Sequence, residues 1–163
     1  MITQAAQRSV PRCALAQATA AFVRITGTMQ ILTNPMRACR KGPDSWFTGT
    51  VWIDEVVTGA APSRLKANLV SFEPGARTAW HTHPVGQALH VLTGLGVVQL
   101  KGQPAQTIRP GDSVWIDAGE VHWHGAAPGH TMVHLAIQEK DEHGVDVVWL
   151  DHVTEEEYAG PRA

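Results

Sequence analysis

Short runs rich in Val, Ile, Thr and Trp dominate the chain from residue 46 onward, and a Gly or Pro stands at nearly every junction between them. The runs cover residues 46–53, 65–72, 87–92, 96–100, 113–116, 130–138 and 145–150. Regularly spaced short strands with turn signals predict an all-β sandwich or barrel. Helical patterns are nearly absent. One capping-box sequence, Thr154 followed by Glu157, predicts a short C-terminal helix that runs through Tyr158.

The length and composition suit one folded domain preceded by an extension. The chain has 163 residues, of which 44% are hydrophobic and 17% charged, enough for a core of its own. We predict one domain over residues 29–158, because no linker or internal repeat divides it. Residues 1–28 lack strand patterning and form an N-terminal extension in this interpretation. Arg8 and Arg12 precede an apolar stretch there, but Gln17 and Thr19 interrupt it, which argues against a secretory signal.

The charge balance favours a small-molecule partner. With 13 basic and 15 acidic residues the net charge is -2, which gives no electrostatic reason to bind nucleic acid or an anionic membrane. No apolar run approaches the roughly 20 residues that a membrane-spanning helix needs. We therefore expect a cytoplasmic protein with a small-molecule substrate. Exposed sheet edges and six tryptophans also favour association between copies of the chain.

The first candidate site is a His-x-His pair, His81 and His83, that precedes a strand. Residues i and i+2 of an extended segment point to the same side, so both imidazoles can reach one point. Pro84 and Gly86 then favour a turn. Gln87 opens the next strand, and its amide oxygen can return across the hairpin to the same point. This segment has the donors for a metal site.

A second pair, His122 and His124, repeats the pattern, with Trp123 facing the other way. A single His-x-His is more often structural than a ligand. Two such pairs, each behind a Gly-led turn and each on a strand, indicate a metal site. His90 lacks this context and is out of phase with the inward residues of its strand, so we expect it to face solvent.

Residues 75–94 and 111–126 resemble the paired motifs of the cupin superfamily, G-x5-H-x-H-x3,4-E-x6-G and G-x5-P-x-G-x2-H-x3-N. All the spacings agree, while Gln87 replaces the usual Glu, Asp117 the usual Pro and Ala126 the usual Asn. The resemblance implies an all-β, single-domain cupin, which is a double-stranded β-helix or jelly-roll barrel, with a short C-terminal helix. It also implies a homo-oligomer, either a dimer or a tetramer.

The motif positions imply one divalent metal bound by His81, His83, Gln87 and His122. An amide in place of the carboxylate leaves only neutral ligands, so the cation keeps its full charge and is a stronger Lewis acid. Nitrogen and oxygen donors of this kind suit Mn2+, Fe2+, Co2+, Ni2+ or Zn2+. Cupins with three histidines and one glutamine around the metal include manganese proteins, which makes Mn2+ the first choice and Fe2+ the second.

A closer resemblance covers residues 41–51, 72–84, 122–128, 131–139 and 152–158, which are similar to the bacterial, manganese-dependent hydroxynitrile lyases of cupin type. It implies reversible cleavage of aromatic, mandelonitrile-like cyanohydrins to an aldehyde and HCN. It also implies pocket residues at Thr78, His124, His134 and Gln138.

These pocket residues suit a division of roles. His124, beside the metal shell, is the candidate proton acceptor, since neutral histidine has a pKa of about 6.5. His134 and Gln138 share strand parity and can donate hydrogen bonds to the departing cyanide, although a core histidine is the other interpretation of His134. Thr78 either bonds a ligand or ends its strand. Asn68 is polar where the barrel wall opposite the metal should be apolar, so the pocket shape should differ from that of the lyases.

Two other functions stay open for this sequence. An Fe2+ or Mn2+ cupin dioxygenase would use the same ligands, with open positions for oxygen and substrate. A cupin that only binds a metal or a small ligand would need no catalytic groups. The spare histidines beyond the metal shell favour an enzyme over a binding module.

Overall fold

The computed structural model describes Met29, residues 31–33 and residues 37–163, so the predicted extension over residues 1–28 lies outside the described part. Thirteen strands and one helix follow one another in this part: β1 (Cys39–Lys41), β2 (Phe47–Thr48), β3 (Val51–Thr58), β4 (Leu65–Phe72), β5 (Arg77–Thr78), β6 (His81–Thr82), β7 (Gln87–Gly94), β8 (Gly96–Leu100), β9 (Gln106–Ile108), β10 (Ser113–Ile116), β11 (His122–Ala126), β12 (Met132–Glu139), β13 (Val148–Trp149) and α1 (Glu155–Tyr158).

The strands form two antiparallel sheets that face each other. The first sheet has six strands in the order β1-β3-β4-β12-β7-β10. The second has the order β13-β6-β11-β5-β2, with β8 paired to β11 and β9 paired to β8. This architecture confirms the prediction of an all-β jelly-roll barrel with a short C-terminal helix. Among the described residues no helix is long and apolar enough to cross a membrane.

The core lies between the two sheets, where alternate side chains of each strand point inward. Val51, Phe72, Leu89 and Met132 are at most 2% exposed and belong to one apolar cluster. Burying side chains of this size stabilises the fold by about 1.5–3 kcal/mol each. Toward one end of the barrel the inward positions become polar, and there the packing leaves a cavity. The sheets thus hold the candidate site rigidly from both sides.

The C-terminal segment covers the outer face of the second sheet. The predicted capping box is confirmed, because the Thr154 hydroxyl accepts from the Glu157 N–H while the Glu157 carboxylate accepts from the Thr154 N–H. Arg77, buried on β5, donates through Nη2 to the Val153 carbonyl at 3.0 Å and its guanidinium lies 4.5 Å from the Tyr158 ring centre. The segment is therefore fixed to the strand that precedes the candidate ligands.

Several strand predictions differ from the structure: the runs 130–138 and 145–150 are the shorter or shifted strands β12 and β13, and two other differences have a clear cause. The run over residues 46–53 is two strands in different sheets, because Gly49 between them has a φ of 80° and turns the chain. The run that starts at Gln87 extends to Gly94 rather than residue 92. A Cβ atom at Gly94, where φ is 84°, would lie 1.9 Å from the Thr131 carbonyl oxygen, so only glycine fits there.

Candidate metal centre

Three of the predicted ligands meet inside the barrel. His81, His83 and His122 are each at most 2% exposed, and one candidate ligand nitrogen from each lies within 4.8 Å of the others. Strand pairing causes this convergence, since β6 and β11 are antiparallel neighbours with His81 directly opposite His122. His83 follows two residues later and points to the same side, as the strand alternation predicts.

Hydrogen bonds orient all three rings. In each ring Nδ1 faces a backbone carbonyl, so Nδ1 carries the proton and donates it, which leaves the Nε2 lone pair free. The partners are Ala79 O for His81 at 2.9 Å, Glu120 O for His122 at 2.9 Å and Asp146 O for His83. Nε2 of His83 is buried and has no hydrogen-bond partner within the described residues. Such a lone pair is what a metal ligand requires.

Gln87 completes the set from the opposite sheet, where it is the first residue of β7. Its Oε1 lies 3.2 Å from His122 Nε2, and its Nε2 donates to Gln138 Oε1 at 3.4 Å. Since His122 donates through Nδ1, its Nε2 is an acceptor, and so is the Gln87 oxygen. Two buried acceptors that face each other at this distance lack a proton between them, and a cation satisfies both. The residues present therefore fit a divalent metal with nitrogen and oxygen ligands.

Burial keeps these imidazoles neutral. Loss of hydration lowers the pKa of His122 to about 4, and it lowers the pKa of His83 as well. The pKa of His81 is lowered well below its usual value, first by burial and then by the neighbouring His122 and His83. Because a metal binds the deprotonated ring, these histidines are ready to bind one at neutral pH without first losing protons.

His124 and His134 form a hydrogen-bonded pair behind the candidate ligands. His124 Nδ1 and His134 Nε2 are 3.1 Å apart, and Phe72 packs against both rings. Burial lowers the pKa of both, that of His134 to about 4. The Thr78 hydroxyl accepts from the His124 backbone N–H at 3.1 Å, which ties β5 to β11. Nε2 of His124 is buried and has no partner among the described residues.

A cavity of about 300 Å³ opens in front of these groups. Thr78, His124 and Gln138 line it, together with His81, His83 and Gln87, whereas His134 does not and lies instead behind His124. The sequence-predicted site residues are thus brought together at one end of the barrel. His134 is hydrogen-bonded to His124, and its hydrogen bond to the departing cyanide remains a prediction.

An aromatic wall is the part of the site that sequence reasoning missed. Trp46 and Trp149 stack with ring centres 5.2 Å apart, Phe47 meets Trp149 edge-on at 5.7 Å, and all three line the cavity. Trp149 also lies 4.8 Å from the His81 ring. These residues come from opposite ends of the domain, so no local pattern joins them. The abundance of tryptophan is the available signal, but composition alone assigns it equally to an outer surface for a partner, as predicted above.

Comparison with known proteins agrees with this geometry. The cupin-domain family matches residues 68–137. The (R)-mandelonitrile lyase of Granulicella tundricola is 52% identical over 130 residues, which are 80% of this chain and 98% of the lyase. The chain belongs to the cupin family. The cupin is also similar to the crystal structure of a cupin-like protein from Thermotoga maritima, at 46% identity and a TM-score of 0.68, over 72% of this chain and 89% of that one.

A more distant match shows the fold alone. The polyketide cyclase RemF of Streptomyces resistomycificus is 18% identical to this cupin, with a TM-score of 0.63, over 80% of this chain and 90% of the cyclase. At that identity the barrel is shared while the chemistry need not be.

Proposed function

We propose that this cupin is a metal-dependent hydroxynitrile lyase, which reversibly cleaves aromatic cyanohydrins to an aldehyde and HCN. One observation carries the proposal: His124, with its unpartnered Nε2, lines the same aromatic-walled cavity as His81, His83 and Gln87, and these candidate ligands converge with His122. The 52% identity to a protein named (R)-mandelonitrile lyase supports it.

The metal would be held by His81, His83, Gln87 and His122, and when bound it supplies Lewis acidity without redox change. Three imidazoles and one amide oxygen are all neutral, so they do not reduce the charge of the cation. Mn2+ is our first choice and Fe2+ our second, while Co2+, Ni2+ and Zn2+ also suit these donors.

His124 is the proposed general base. We assign the proton between the two rings to His124 Nδ1, which then donates to His134 Nε2 at 3.1 Å and leaves the His124 Nε2 lone pair available to the cavity. In the cleavage direction the cyanohydrin hydroxyl proton moves to this nitrogen, the O–H electron pair becomes the carbonyl π bond, and the carbon–cyanide bond breaks with its pair on cyanide. The same proton then passes to cyanide and gives HCN. His134 stabilises the imidazolium that forms transiently, since it accepts a hydrogen bond from it.

The departing cyanide and the aryl group have their own partners in this scheme. Gln138 accepts from Gln87 through Oε1, so its own NH2 group remains to donate to cyanide. The stacked Trp46 and Trp149 provide an apolar wall for the aryl ring and keep water from it. Burial of His124 keeps the base unprotonated at mildly acidic pH, where free cyanide is protonated and the products are stable.

Elemental analysis followed by a lyase assay tests the proposal. Purified protein should contain one divalent metal per chain, and metal-loaded protein should release benzaldehyde from mandelonitrile and form mandelonitrile stereoselectively from benzaldehyde and HCN at mildly acidic pH. Absence of both reactions in metal-loaded protein would refute the lyase function. Substrate-dependent oxygen consumption would identify a dioxygenase instead, and metal retention without turnover would identify a binding module.

A further inference from the structure

Asn68 is a buried amide on the cavity wall opposite the tryptophans. It is 9% exposed, lies on β4 with the same inward parity as Lys66 and Val70, and lines the cavity. Within the described part of the chain, its side-chain amide has no hydrogen-bond partner, and the amide nitrogen and oxygen are not fully buried but stay accessible. Lys66 on the same wall differs, because its ammonium pairs with Asp146 at 2.6 Å.

This amide gains no hydrogen bond within the described residues. Because its nitrogen and oxygen stay accessible, an apolar side chain at this position would break no hydrogen bond inside the barrel. Directly across the sheet from Asn68 is Ala136, a cavity-lining residue whose short side chain leaves space in front of the amide. A bound molecule therefore has room to approach the Asn68 amide and form the hydrogen bond that the protein does not provide.

The two walls of the cavity define the shape of that molecule. Trp149 belongs to the second sheet and stacks on Trp46, while Asn68 belongs to the first sheet and lines the same cavity. An aryl ring that packs on the tryptophans would share the cavity with the amide, so a substituent on the ring could reach it. An amide offers both a donor and an acceptor, which matches a phenolic hydroxyl or a ring nitrogen.

We propose that Asn68 is a specificity-determining residue that binds a hydrogen-bonding substituent on the aryl ring of the substrate. The substrate class is then hydroxylated or heteroaromatic cyanohydrins, in preference to unsubstituted ones. This inference rests on the proposed lyase function for its chemistry, but the contact between Asn68 and the ligand is independent of catalysis. An apolar side chain at position 68 would favour an unsubstituted phenyl ring. A hydroxyl group on the ring would then lose its hydrogen bonds to water and gain none from the protein.

The kinetic test compares mandelonitrile with 4-hydroxymandelonitrile and its 3-hydroxy isomer, in wild-type protein and in Asn68→Leu. Wild-type protein should have the higher kcat/KM for at least one hydroxylated substrate. Asn68→Leu should lower the ratio of hydroxylated to unsubstituted kcat/KM by about three- to tenfold, which corresponds to one neutral hydrogen bond. Ser71→Val, a polar-to-apolar change on the outward side of the same strand, should leave that ratio as in wild type.

A binding measurement separates this inference from the lyase proposal. Titration calorimetry with benzyl alcohol and 4- or 3-hydroxybenzyl alcohol measures the dissociation constants of ring analogues that the enzyme does not turn over. Their ratio reports the contact with Asn68. If wild-type protein shows no lyase activity but prefers a hydroxylated alcohol, and Asn68→Leu loses the preference, the Asn68 contact stands and the lyase function fails. If the activity is present and the ratio is the same in both proteins, the Asn68 inference is overturned. The melting temperature of Asn68→Leu should be no lower than that of wild type, and Asn68→Ala repeats the ratio test if the Leu variant does not fold.

Discussion

Replacing Gln87 by Leu should have opposite effects on the metal-free and the metal-loaded protein. In the metal-free protein the Gln87 oxygen and His122 Nε2 are two buried acceptors 3.2 Å apart. Leu has a similar size and removes one of them, so it removes an unsatisfied polar group from the interior. In the metal-loaded protein the same change deletes a ligand. A purely structural role for Gln87 predicts no such reversal.

The magnitudes follow from the local contacts. Burial of one unsatisfied acceptor costs about 1–3 kcal/mol, while the hydrogen bond that is lost contributes about 0.5–1.5 kcal/mol. That bond, from Gln87 Nε2 to Gln138 Oε1, is 3.4 Å long and belongs at the weak end. Metal-free Gln87→Leu should therefore be more stable than metal-free wild type by about 1 kcal/mol. For a chain of this length the melting temperature should rise by about 2–4 °C.

The metal response, which is the gain in unfolding free energy on adding metal, should be smaller in Gln87→Leu than in wild type. At free metal equal to one hundred times the dissociation constant, binding stabilises the folded protein by about 2.7 kcal/mol. If loss of the Gln87 oxygen weakens binding at least tenfold, the stabilisation at that concentration drops to about 1.4 kcal/mol or less. Calorimetry on chelated and Mn2+-loaded samples measures both quantities.

Gln99→Leu is the matched control, because it makes the same chemical change outside the site. The Gln99 oxygen accepts from the buried Trp123 indole at 2.6 Å, and its nitrogen donates to the Gln103 carbonyl at 2.7 Å. This variant should lose about 1–3 kcal/mol with or without metal, since it leaves an indole N–H unpartnered. If metal-free Gln87→Leu loses stability in the same way and its metal response is unchanged, Gln87 is not a ligand.

Other perturbations separate metal binding, catalysis and helix capping. His122→Ala should remove most of the bound metal in elemental analysis, whereas His124→Ala should keep the metal and lose lyase turnover by about two to four orders of magnitude; the reverse pattern would exchange their roles. Thr154→Ala should lower the free energy of unfolding by about 1 kcal/mol in urea, because it removes one half of the capping box. The Thr154 N–H, with side-chain hydrogen bonds, lowers the pKa of Glu157 to about 2. The ionised Glu157 carboxylate therefore contributes its full stabilisation above pH 4.5, and this stabilisation is lost as the pH falls toward 2. The difference in unfolding free energy between wild type and Glu157→Gln should narrow over that range.

The parts of this protein that local sequence encodes were predictable. The His81 and His83 pair converges because strand alternation requires it, and the turn before Gln87 forms at Gly86, where φ is 89°. The capping box at Thr154 depends on residues three positions apart. In each case the physical cause lies within a few residues of the chain, so a short sequence segment is enough to predict the feature.

The other parts depend on strand pairing across the barrel. His134 has the inward parity that was predicted for it, but parity alone does not show that its ring pairs with His124, 3.1 Å away on a strand of the other sheet. The Trp46–Trp149 stack joins the start and the end of the domain through β2 and β13, which are two-residue strands with no pattern of their own. Parity gives the direction of a side chain, but only the pairing order gives its neighbour.

The site can also be recognised by where the barrel leaves polar groups unsatisfied. Among the buried side-chain atoms with no hydrogen-bond partner in the described residues, His83 Nε2, His124 Nε2 and Trp149 Nε1 belong to side chains that line this cavity, whereas Asp54 Oδ1 and His134 Nδ1 do not. A fold selected for stability alone would pair such groups or replace them, since each costs free energy. Apolar replacement at a position of this kind should stabilise the empty protein and impair what binds there. Gln87→Leu tests that rule at an acceptor that faces His122 Nε2, with metal as the missing partner. Asn68→Leu tests the related case of a cavity-lining amide whose proposed partner is the substrate.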